Sequence, residues 1–591
     1  MESNPSVTPQ TNRNFLHDMF TIDQVIAEHY PTLNQRKVSG PIIKSLLRRL
    51  VHEQAFLEFA KEYPHLNGIE FVEQVLEYFH FSYAVNGRQR ENIPITGKVI
   101  IIANHPIGSL DGLALLKLVH EVRSDVKIVA NDLLMSVTPL QAFLLPVKNM
   151  NGISKKQDIQ RIHSALIKEE AVIIFPAGEV SRFGFRGVRD GQWNKGFLKL
   201  AVRAKAPILP IYISGHNSIP FYLASIVVRP LSTIMLVGEM FRQREKQLKM
   251  TIGSVIPYHT YSGLTFSWKE KTKLFKKHVY RIGQRKKPLF ATESAIAGPE
   301  RKTELKKAVQ LGERLGATPD GKIIYLFEPV DSSSIMREIG RLRELAFRAV
   351  GEGTGNRRDF DQYDWYYQHL ILWDEEELEI AGAYRFVDAS KMILKNKANG
   401  LYSDSLFKMD VENCYFLKNG LELGRSFVQP RYWGKRSLEY LWYGIGTFLA
   451  KNPQYRYLFG PVSISNTMPL MAKELLIYFY KLYFSGKSDI GCSRNPFSFS
   501  HPLETLKKEF SGENYRADLI KLKSLLNNFG TAIPPLYKQY TELCEPGGVV
   551  FLDFNIDPAF NNCVDGLVIV DSHKLKEHKR KRYMEETLLA S

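Results

Sequence analysis

The sequence predicts an α/β protein with a mostly parallel sheet in its first half and a second α/β region after it. Short β-branched runs alternate with helical patterns between about residues 80 and 260, which is the order that builds a parallel sheet. A similar alternation starts again at residue 322, after a stretch rich in glycine and proline. We expect at least two domains, because 591 residues exceed what one hydrophobic core usually supports.

The composition is that of a globular protein with an anionic partner. Hydrophobic residues make up 44% of the chain, and the formal net charge is +17. This charge suits nucleic acid, an anionic membrane surface or an acidic carrier protein. The cysteines are scattered, at Cys414, Cys492, Cys544 and Cys563. Their spacing predicts reduced thiols, without a disulfide framework or a zinc site.

The N-terminal region, residues 1–74, is predicted to be helical. It lacks the apolar segment of a secretory signal, and no window of the chain reaches the ~18 uninterrupted apolar residues of a membrane span. Residues 39–63 have the pattern of an amphipathic helix that either packs on a core or lies on a membrane surface. We therefore expect a soluble or peripheral protein.

The first sheet is predicted from residue 75 onward. The expected strands are 99–103, 126–130, 171–175, 208–213 and 235–237, and the expected helices are 113–122, 158–168 and 195–205. In such sheets, ligand-binding groups collect where parallel strands end.

The stretch NHPIGSLDG at residues 104–112 places a histidine and an aspartate at the end of one predicted strand. A histidine titrates in the range required of a base for a hydroxyl that attacks a thioester. A nearby carboxylate can hold the imidazole in one tautomer and stabilise its charged form. We predict His105 as the base and Asp111 as its orienting partner, with Asn104 as a substrate contact.

A second strand end carries FPAGEVSR at residues 175–182. Gly178 is predicted to offer backbone N–H groups to an oxyanion, and Glu179 and Arg182 are predicted substrate contacts. Arg182, with Arg186 and Arg189 near it, forms a basic cluster that suits an anion. A solvated basic loop accounts for the same arginines equally well.

Together these two motifs resemble the glycerolipid (lysophospholipid) acyltransferase family over about residues 75–260. The resemblance implies direct transfer of an acyl chain from a thioester to a hydroxyl. Two departures stand out: five residues separate His105 from Asp111 where the family usually has four, and Ala177 replaces the glutamate of the family's FPEGTR phosphate loop. This variant resembles the subfamily that acylates amino-acid lipids, and the resemblance implies an O-acyltransferase domain over residues 75–290. It also implies that Arg182, with Arg186 and Arg189, holds a carboxylate in place of a phosphate.

The end of that domain, residues 269–287, is strongly basic. It is either a solvated helix face or a docking surface for anionic lipid or an acidic carrier protein. Nucleic acid is not expected as a partner, because no recognition-helix or zinc pattern accompanies the charge. Residues 291–321 are predicted to be a linker with one helix.

The second domain is predicted over residues 322–591. The expected elements are strands 322–327, 370–373, 380–386 and 421–428, a helix 332–349 capped by Ser332, and a helix 437–450. The loop QPRYWGKR at residues 429–436 opens the last helix and suits the phosphate of a pantetheine arm. Arg431, Gly434, Lys435 and Arg436 are its predicted ligands.

This half resembles N-acetyltransferase-like (GNAT) folds, and within them acyl-homoserine-lactone synthases and ornithine N-acyltransferases, over about residues 322–570. The matching residues are Arg343, Phe347, Asp361, Asp364, Arg385, Glu422 and Arg425, together with the segment 553–565. The resemblance implies that Glu422 is the base or orienting acid for an α-amine. It also implies that the site is shaped by Arg343, Phe347, Asp361, Asp364, Arg385 and Arg425. Structural salt bridges among these charges are the alternative. Gly353 stands where lactone synthases have tryptophan, which favours the amino-acid acylating branch.

The two resemblances imply a bifunctional ornithine-lipid or glycine-lipid synthase, with a glycerolipid-acyltransferase-like parallel sheet and a GNAT-like α/β domain. A 3-hydroxyacyl thioester would acylate an amino acid, and a second thioester would acylate the resulting lyso-lipid. We expect acyl carrier protein or acyl-CoA as the donor, no bound cofactor or metal, and a peripheral position on the inner face of the cytoplasmic membrane. The alternatives are a lysophospholipid (1-acylglycerol-3-phosphate-type) O-acyltransferase with a non-catalytic second half, and a basic scaffold without activity.

Overall fold

The structure is a computed structural model, and it describes residues 45, 48–49, 52–131, 134–135, 137–147, 156–184, 187–222, 229–330, 333–396, 400–486 and 490–585. The chain divides into two compact units, residues 1–295 and 296–591. Among the described residues, no helix combines the length and apolar character needed to cross a membrane.

The first unit is built on a mixed, mostly parallel sheet. Its strands in chain order are β1 (Ser82–Ala84), β2 (Val99–Ala103), β3 (Val126–Asn131), β4 (Leu144–Val147), β5 (Ala171–Ile174), β8 (Ile208–Ser214) and β9 (Gln247–Ile252), with the hairpin β6 (Arg182–Gly184) and β7 (Gly187–Arg189) between β5 and β8. The strand order is β1-β9-β8-β2-β5-β3-β4, and only the β8–β9 pair is antiparallel. Strand β2 is central and buried on both faces, which explains its unbroken apolar sequence.

Helices cover this sheet. They are α1 (Glu53–Glu62), α2 (Gly68–Tyr78), α3 (Gly87–Arg90), α4 (Ser109–His120), α5 (Lys156–Ile167), α6 (Gly196–Ala204), α7 (Arg229–Arg242), α8 (Tyr258–Ser262) and α9 (Trp268–Gly283), with a 3₁₀ turn at Thr138–Leu140. Two apolar clusters lie on opposite faces of the sheet, since neighbouring residues of β2 point alternately into one or the other.

The predicted α/β class is confirmed, and most predicted elements of the first unit lie within a few residues of their expected bounds. The strand predicted at 235–237 is wrong, because those residues lie inside helix α7. A short apolar run does not by itself distinguish a strand from a helix. The ion pair of Glu239 with Arg242, three residues apart, follows helical spacing. Part of the helix predicted at 39–63 lies outside the described residues; its described part, α1, buries Phe59 in the core.

The second unit is built on a mostly antiparallel sheet. Its strands are β10 (Glu313–Ala317), β11 (Ile323–Phe327), β12 (Gln368–Asp374), β13 (Glu379–Asp388), β15 (Gly420–Val428), β16 (Tyr457–Ile464), β18 (Val549–Asp557) and β19 (Cys563–Asp571), and a small separate sheet pairs β14 (Phe407–Met409) with β17 (Gly491–Ser493). The order is β10-β11-β12-β13-β15-β16-β19-β18.

Helices and short turns pack on this second sheet. They are α10 (Lys302–Val309), α11 (Ser334–Ala349), α12 (Ala389–Asn396), α13 (Tyr402–Leu406), α14 (Ser437–Lys451), α15 (Leu470–Phe484), α16 (Leu503–Lys507), α17 (Tyr515–Asn528), α18 (Pro535–Leu543) and α19 (Glu577–Arg580), with 3₁₀ turns at Gln362–Trp365, Pro430–Tyr432, Pro558–Phe560 and Ser572–Lys574 and a π turn at Lys581–Glu585. Large apolar clusters lie against both faces of the sheet.

Strands β15 and β16 form the one parallel pair of this sheet among the described residues, and they separate part-way along. They pair only from Gly420–Tyr457 to Glu422–Phe459, although both strands continue further. On its other side, β15 carries a bulge opposite β13 near Arg425, whose φ is +48°. Bulges re-aim side chains and are frequent beside functional sites. The gap between β15 and β16 therefore marks the part of this unit where a ligand would enter the sheet.

Two predictions about the start of the second unit need correction. The segment 291–321 contains the expected helix, α10, but also β10, which pairs with β11, so it forms part of the fold. The N-cap of α11 is Ser333, whose Oγ accepts a hydrogen bond from the Met336 N–H at 3.2 Å. Ser332, the predicted cap, lies outside the described residues.

Candidate active sites

The imidazole of His105 and the carboxylate of Asp111 meet at the end of β2. Nδ1 of His105 lies 2.8 Å from Oδ1 of Asp111, and the Asp111 side chain is fully buried. The other carboxylate oxygen accepts backbone N–H groups from Ile107 at 2.8 Å and Gly108 at 3.3 Å. Asp111 thus caps the start of α4 with one oxygen and faces the imidazole with the other. The pairing expected from the sequence is present.

Gly108 accommodates the long spacing between His105 and Asp111. Its φ is +126°, in a region that residues with a side chain rarely adopt. The chain turns there and enters α4 at Ser109, so that Asp111 falls in the first helical turn. The fifth intervening residue is absorbed in the loop, and the ion pair is kept.

Buried aromatic and acidic groups set the charge state of His105. Its ring stacks on Phe175 with a centroid distance of 4.1 Å, and its side chain is 17% exposed. Burial lowers the pKa of His105, but the charges of Asp111 and Asp190 outweigh it and leave that pKa above its ordinary value. Because Nδ1 faces Asp111, Nε2 is the ring nitrogen left to meet a substrate.

Asp190 accepts hydrogen bonds from the same loop, and the sequence did not predict this role. One of its oxygens accepts the His105 backbone N–H at 3.2 Å and the Ser181 hydroxyl at 2.5 Å, and the other accepts the Trp193 indole N–H at 2.7 Å. The Ser181 N–H in turn donates to the His105 carbonyl at 2.7 Å. Asp190 lies 85 residues from His105, so no local spacing signals it.

Two predicted substrate contacts of this site are used inside the protein. The Asn104 amide is buried and bonds both the N–H and the carbonyl of Ile213, at 2.7 and 2.8 Å, which joins β2 to β8. The Gly178 N–H donates to the Phe175 carbonyl at 3.1 Å, in a turn where the φ of Gly178 is +69°. In this arrangement both hold the loops around His105 and leave substrate contact to other groups.

The remaining predicted contacts lie at a more open edge. Arg182 Nη2 lies 2.9 Å from Glu179 Oε2, and both side chains are partly exposed. The Arg189 guanidinium lies over the Tyr280 ring at 5.0 Å. Arg186 lies outside the described residues. Arg182 therefore has a partly exposed guanidinium that is paired with Glu179, and its contact with a substrate stays a prediction.

In the second unit, three of the predicted residues form a buried ion-pair network. Asp364 Oδ1 lies 2.5 Å from Arg343 Nη1 and 2.9 Å from Arg385 Nη1. Burial would raise the pKa of Asp364, but these two guanidinium groups hold it well below its ordinary value. The side chains of all three are fully buried. The network fixes α11 and β13 to the 3₁₀ turn at Gln362–Trp365, so these three residues act as structural salt bridges.

Arg425 and Asp361 form the accessible edge of that network. Asp361 accepts both Nη groups of Arg385, at 2.5 and 2.6 Å. Arg425 lies 3.2 Å from Asp359 and 3.3 Å from Asp361, and its Nη1 donates to the Tyr402 hydroxyl at 3.2 Å. The side chains of Asp361 and Arg425 are 20% and 10% exposed. These two are the network members that a ligand can approach.

Glu422 has a different environment from that of an open base. One oxygen accepts the Tyr367 hydroxyl and the Tyr402 N–H, the latter at 3.1 Å, and the other accepts the Ser403 N–H. The side chain is buried, and burial raises its pKa. This carboxylate therefore holds the start of α13 against β15. Phe347 also packs inside the fold, edge-on to Phe560 at 5.0 Å.

The predicted pantetheine loop lies before α14 and is largely exposed. Gly434 has a φ of +75°, and Lys435 lies over the Tyr432 ring at 5.2 Å. Arg431 pairs with Glu379 at 2.7 Å, and Arg436 pairs with Glu439 at 2.9 Å. The loop presents cations at a helix start, as expected, but two of them already have carboxylate partners.

Comparison with known proteins decides the family. A model described as "Acyltransferase" matches residues 24–286, and one described as "Acetyltransferase (GNAT) domain" matches residues 342–443. The lyso-glycine lipid O-acyltransferase of Bacteroides thetaiotaomicron is 30% identical over 264 residues, which cover 43% of this chain and 95% of that protein. The chain belongs to this acyltransferase family.

Two further relatives match this acyltransferase. The glycine N(alpha)-acyltransferase of Bacteroides thetaiotaomicron is 29% identical over 309 residues, covering 49% of this chain and 89% of that protein. The L-ornithine N(alpha)-acyltransferase of Agrobacterium fabrum is 27% identical over 249 residues, covering 41% and 76%. The predictions of an enzyme that transfers acyl groups, and of a GNAT domain after the first acyltransferase domain, are confirmed.

Further carboxylates beside Arg425 were not assigned a role from the sequence. Glu352 accepts the Ser463 hydroxyl at 3.0 Å, and Asp557 accepts the Tyr402 hydroxyl at 3.2 Å. Burial raises the pKa of Glu352 to about 7 and, with Asp557 and Glu352 nearby, that of Asp565 to about 8. Within the described part of the chain, no three His, Cys, Asp or Glu side chains are arranged to hold a metal ion. Burial thus brings the pKa values of Glu352 and Asp565 close to neutrality in the part of the unit beside Arg425.

Proposed function

We propose that this acyltransferase makes an amino-acid lipid in two consecutive steps. The C-terminal unit transfers a 3-hydroxyacyl chain from a thioester to the α-amine of an amino acid. The N-terminal unit then esterifies the hydroxyl of that product with a second acyl chain. The observation that carries the proposal is the ion pair of His105 with Asp111 at the end of β2, in a chain that also contains a GNAT domain.

The geometry around His105 supports the second step. Nε2 takes the proton of the lyso-lipid hydroxyl as its oxygen attacks the thioester carbonyl carbon. A C–O bond forms and the C–S bond breaks. The departing thiolate then takes from the imidazolium the proton that the hydroxyl gave up. The charge of Asp111, 2.8 Å from Nδ1, stabilises the imidazolium between these two transfers.

The names of the relatives support the order of the two reactions. One is named a glycine N-acyltransferase and another a lyso-glycine lipid O-acyltransferase, and this chain covers 89% and 95% of their lengths. The product of the first activity carries the hydroxyl that the second would acylate, provided that the first chain is a 3-hydroxyacyl chain. We therefore propose glycine as the first amino acid to test, with ornithine as the comparison.

Arg182 is the proposed contact for the carboxylate of the lyso-lipid. Its guanidinium is partly exposed beside Glu179, in the strand that follows the turn at Gly178. An arginine at this place, with Ala177 in the preceding turn, suits a carboxylate head group better than the glutamate-containing phosphate loop of glycerolipid enzymes.

Acyl carrier protein is the proposed donor, with acyl-CoA as the comparison. The net charge of +17 favours encounter with an acidic protein. In the C-terminal unit, the backbone edges of β15 and β16 face each other unpaired beyond Glu422 and Phe459. An extended arm that carries amide groups, such as pantetheine, can bond to such edges.

We propose a peripheral position on the inner face of the cytoplasmic membrane. Two large apolar side chains beside the His105 site are strongly exposed, Phe183 at 64% and Ile219 at 75%. Phe183 contacts the ring of Tyr222, and the Tyr222 hydroxyl bonds the Asn217 N–H close to Ile219. Exposed apolar side chains of this kind support contact with the lipid in which the lyso-lipid is dissolved.

The test is a product analysis with purified full-length protein. Glycine, a 3-hydroxyacyl carrier protein and a second acyl carrier protein are supplied, and the lipids are measured by mass spectrometry. The expected product is diacylated glycine, with the mono-acylated form as an intermediate. Acylation of 1-acylglycerol-3-phosphate without any N-acylated amino acid would instead support a single-function O-acyltransferase. His65 is an exposed histidine of the N-terminal unit, and His65→Gln is therefore the matched control for a substitution of His105.

A further inference from the structure

The loop that follows α11 is held rigidly and places one carboxyl beside Arg425. Gly351 and Gly353 have φ values of +81° and +101°. A Cβ atom at Gly351 would lie 2.3 Å from Thr467 Cγ2, so the close approach requires glycine. Between these two glycines stands Glu352, so both of its neighbours adopt backbone conformations that favour glycine.

Two sets of side-chain contacts fix the same loop further. The buried carboxylate of Glu344 accepts the Thr354 N–H at 3.1 Å, the Thr354 hydroxyl at 2.9 Å and the Gly355 N–H at 2.8 Å. The Asn561 amide donates to the Gly351 carbonyl at 2.8 Å and joins the loop to the turn before β19. A loop bonded at this many points holds its side chains in defined positions, as a catalytic group requires.

The carboxyl so positioned faces the gap between β15 and β16. Glu352 Oε2 accepts the Ser463 hydroxyl, and Ser463 lies in the part of β16 that no longer pairs with β15. Ser463 is directly opposite Asp565 on β19, so both side chains share one face of the sheet. Among the described residues, the ionisable groups that interact with Glu352 are Arg425 on β15 and Cys563 and Asp565 on β19, and Asp557 on β18 acts on the last two.

We propose that Glu352 is the base that takes the proton from the amine in the N-acylation step. This inference rests on the proposed function and names the residue that performs its first reaction. The ammonium of the amino acid gives one proton to the Glu352 carboxylate, and the nitrogen lone pair forms the N–C bond with the thioester carbonyl. The C–S bond breaks, and the thiolate leaves with the second proton released by the nitrogen. The first proton passes from Glu352 to solvent.

The contacts favour Glu352 over Glu422 for this role. Glu422 accepts three hydrogen bonds from fixed groups of its own fold. Glu352 accepts one from the Ser463 hydroxyl, on Oε2, which leaves Oε1 to meet an amine. Burial also raises the pKa of Glu352 to about 7, so that a base and its conjugate acid coexist near neutral pH. Asp565, with a pKa of about 8, stays largely protonated there.

Glu352→Gln tests the inference, because glutamine keeps the size of the side chain and an acceptor for Ser463. We expect the kcat of N-acylation to fall by about 100-fold or more, with KM for the amino acid changing less than about threefold. The rise of the rate with pH that reflects Glu352 should disappear. Glu352→Asp should restore part of the rate, since it keeps a carboxyl. Glu412→Gln, the same change at an exposed loop position of this unit, is the control.

A second readout separates a failed inference from a failed function. O-acylation of supplied N-(3-hydroxyacyl)glycine should be unchanged in Glu352→Gln, which shows that the first unit is folded, and the nearly unchanged KM for the amino acid shows that the second unit is folded. If the wild type forms N-acylglycine and Glu352→Gln stays within about threefold of it, the inference is overturned and the proposed function stands. If the wild type forms no N-acylated amino acid from either glycine or ornithine, the proposed function fails and takes the inference with it.

Discussion

The two candidate sites differ in how the chain assembles them. In the first unit, His105 and Asp111 lie in one short stretch of sequence, and a strand end and a helix start bring them together. In the second unit, the groups around Arg425 come from segments spread between residues 352 and 565. The first site can be predicted from a short motif. In the second site, a motif identifies the charged residues, but it does not show which of them are catalytic and which stabilise the fold.

The two candidate sites also differ in how their charged groups are arranged. The first site has one histidine between two buried aspartates, so the sign of their influence on its pKa is clear. The second has guanidinium groups and carboxylates that largely neutralise each other. Hydrogen bonding then decides the roles, and it favours Glu352, which accepts one hydrogen bond, over Glu422, which accepts three.

Replacing His105 should have the largest effect and should separate the two sites completely. Without the imidazole base, we expect His105→Gln to lower O-acylation by about 10⁴-fold and to leave N-acylation within about twofold. Initial rates of both steps, measured separately with supplied substrates, give the comparison. The assignment of the first site is wrong if O-acylation persists within about tenfold of the rate of the control, His65→Gln.

Replacing Asp111 should lower the same rate by about 10³-fold, because the imidazolium loses its buried countercharge. The acid limb of the O-acylation rate should also move to lower pH, since Asp111 raises the pKa of His105 and only the neutral ring acts as a base. The pH–rate profile of Asp111→Asn measures this shift.

Asp190→Asn should also move the acid limb of the O-acylation rate to lower pH, but by less than Asp111→Asn does. The reason is that Asp190 raises the pKa of His105 less than Asp111 does. A shift to higher pH in either variant would contradict these electrostatic roles.

The raised pKa of His105 also makes the stability of the first unit depend on pH. It stabilises the first unit while His105 is protonated, below its unfolded-state pKa of 6.5, and this stabilisation is lost as pH rises through the folded-state pKa.

Gly108→Ala should reduce O-acylation by about tenfold although it replaces neither member of the ion pair. A side chain at φ +126° is strained, so the loop has to shift and His105 and Asp111 lose alignment. Gly263→Ala is the matched control, since Gly263 has a φ of −80° and open space where a Cβ would lie. Equal O-acylation rates in the two variants would show that the loop tolerates the longer spacing without glycine.

Glu422→Gln should affect stability more than chemistry. Its amide group would face donors that now bond the carboxylate, at a cost of roughly 1–3 kcal/mol. We expect a lower unfolding temperature and a loss of N-acylation below about tenfold, measured by calorimetry and initial rates. A loss near 100-fold with an unchanged unfolding temperature would instead return the role of base to Glu422.

Much of the fold can be predicted from the sequence where elements are regular. Strand β2 has the bounds that the sequence predicts, because an unbroken apolar run between polar loops is typical of a strand buried on both faces. The strand predicted at 235–237 is wrong because a three-residue run is too short to show its period. The edge strands β1 and β4, and β9 beside β1, are short or mixed in sequence, and only their pairing partners define them.

In the candidate sites, too, only residues that lie in one short segment can be predicted from the sequence. The pairing of His105 with Asp111 is predictable, because both residues lie in one short segment. Asp190 is not, since its hydrogen bonds join positions 85 residues apart. For Glu422, sequence resemblance identifies a member of the site but cannot show that three hydrogen bonds already fix it. Glu352 depends on two left-handed glycines and on Ser463, and no local pattern connects them.

The central claim is that two separate sites on one chain perform consecutive acylations. The most direct measurement mixes two full-length variants, His105→Gln and Glu352→Gln, with glycine and both acyl carrier proteins. Neither variant alone should give diacylated glycine, and the mixture should restore it, because one variant supplies the N-acylated intermediate that the other esterifies. Diacylated product from His105→Gln alone would contradict the claim, as would a mixture that accumulates N-acylglycine and never esterifies it.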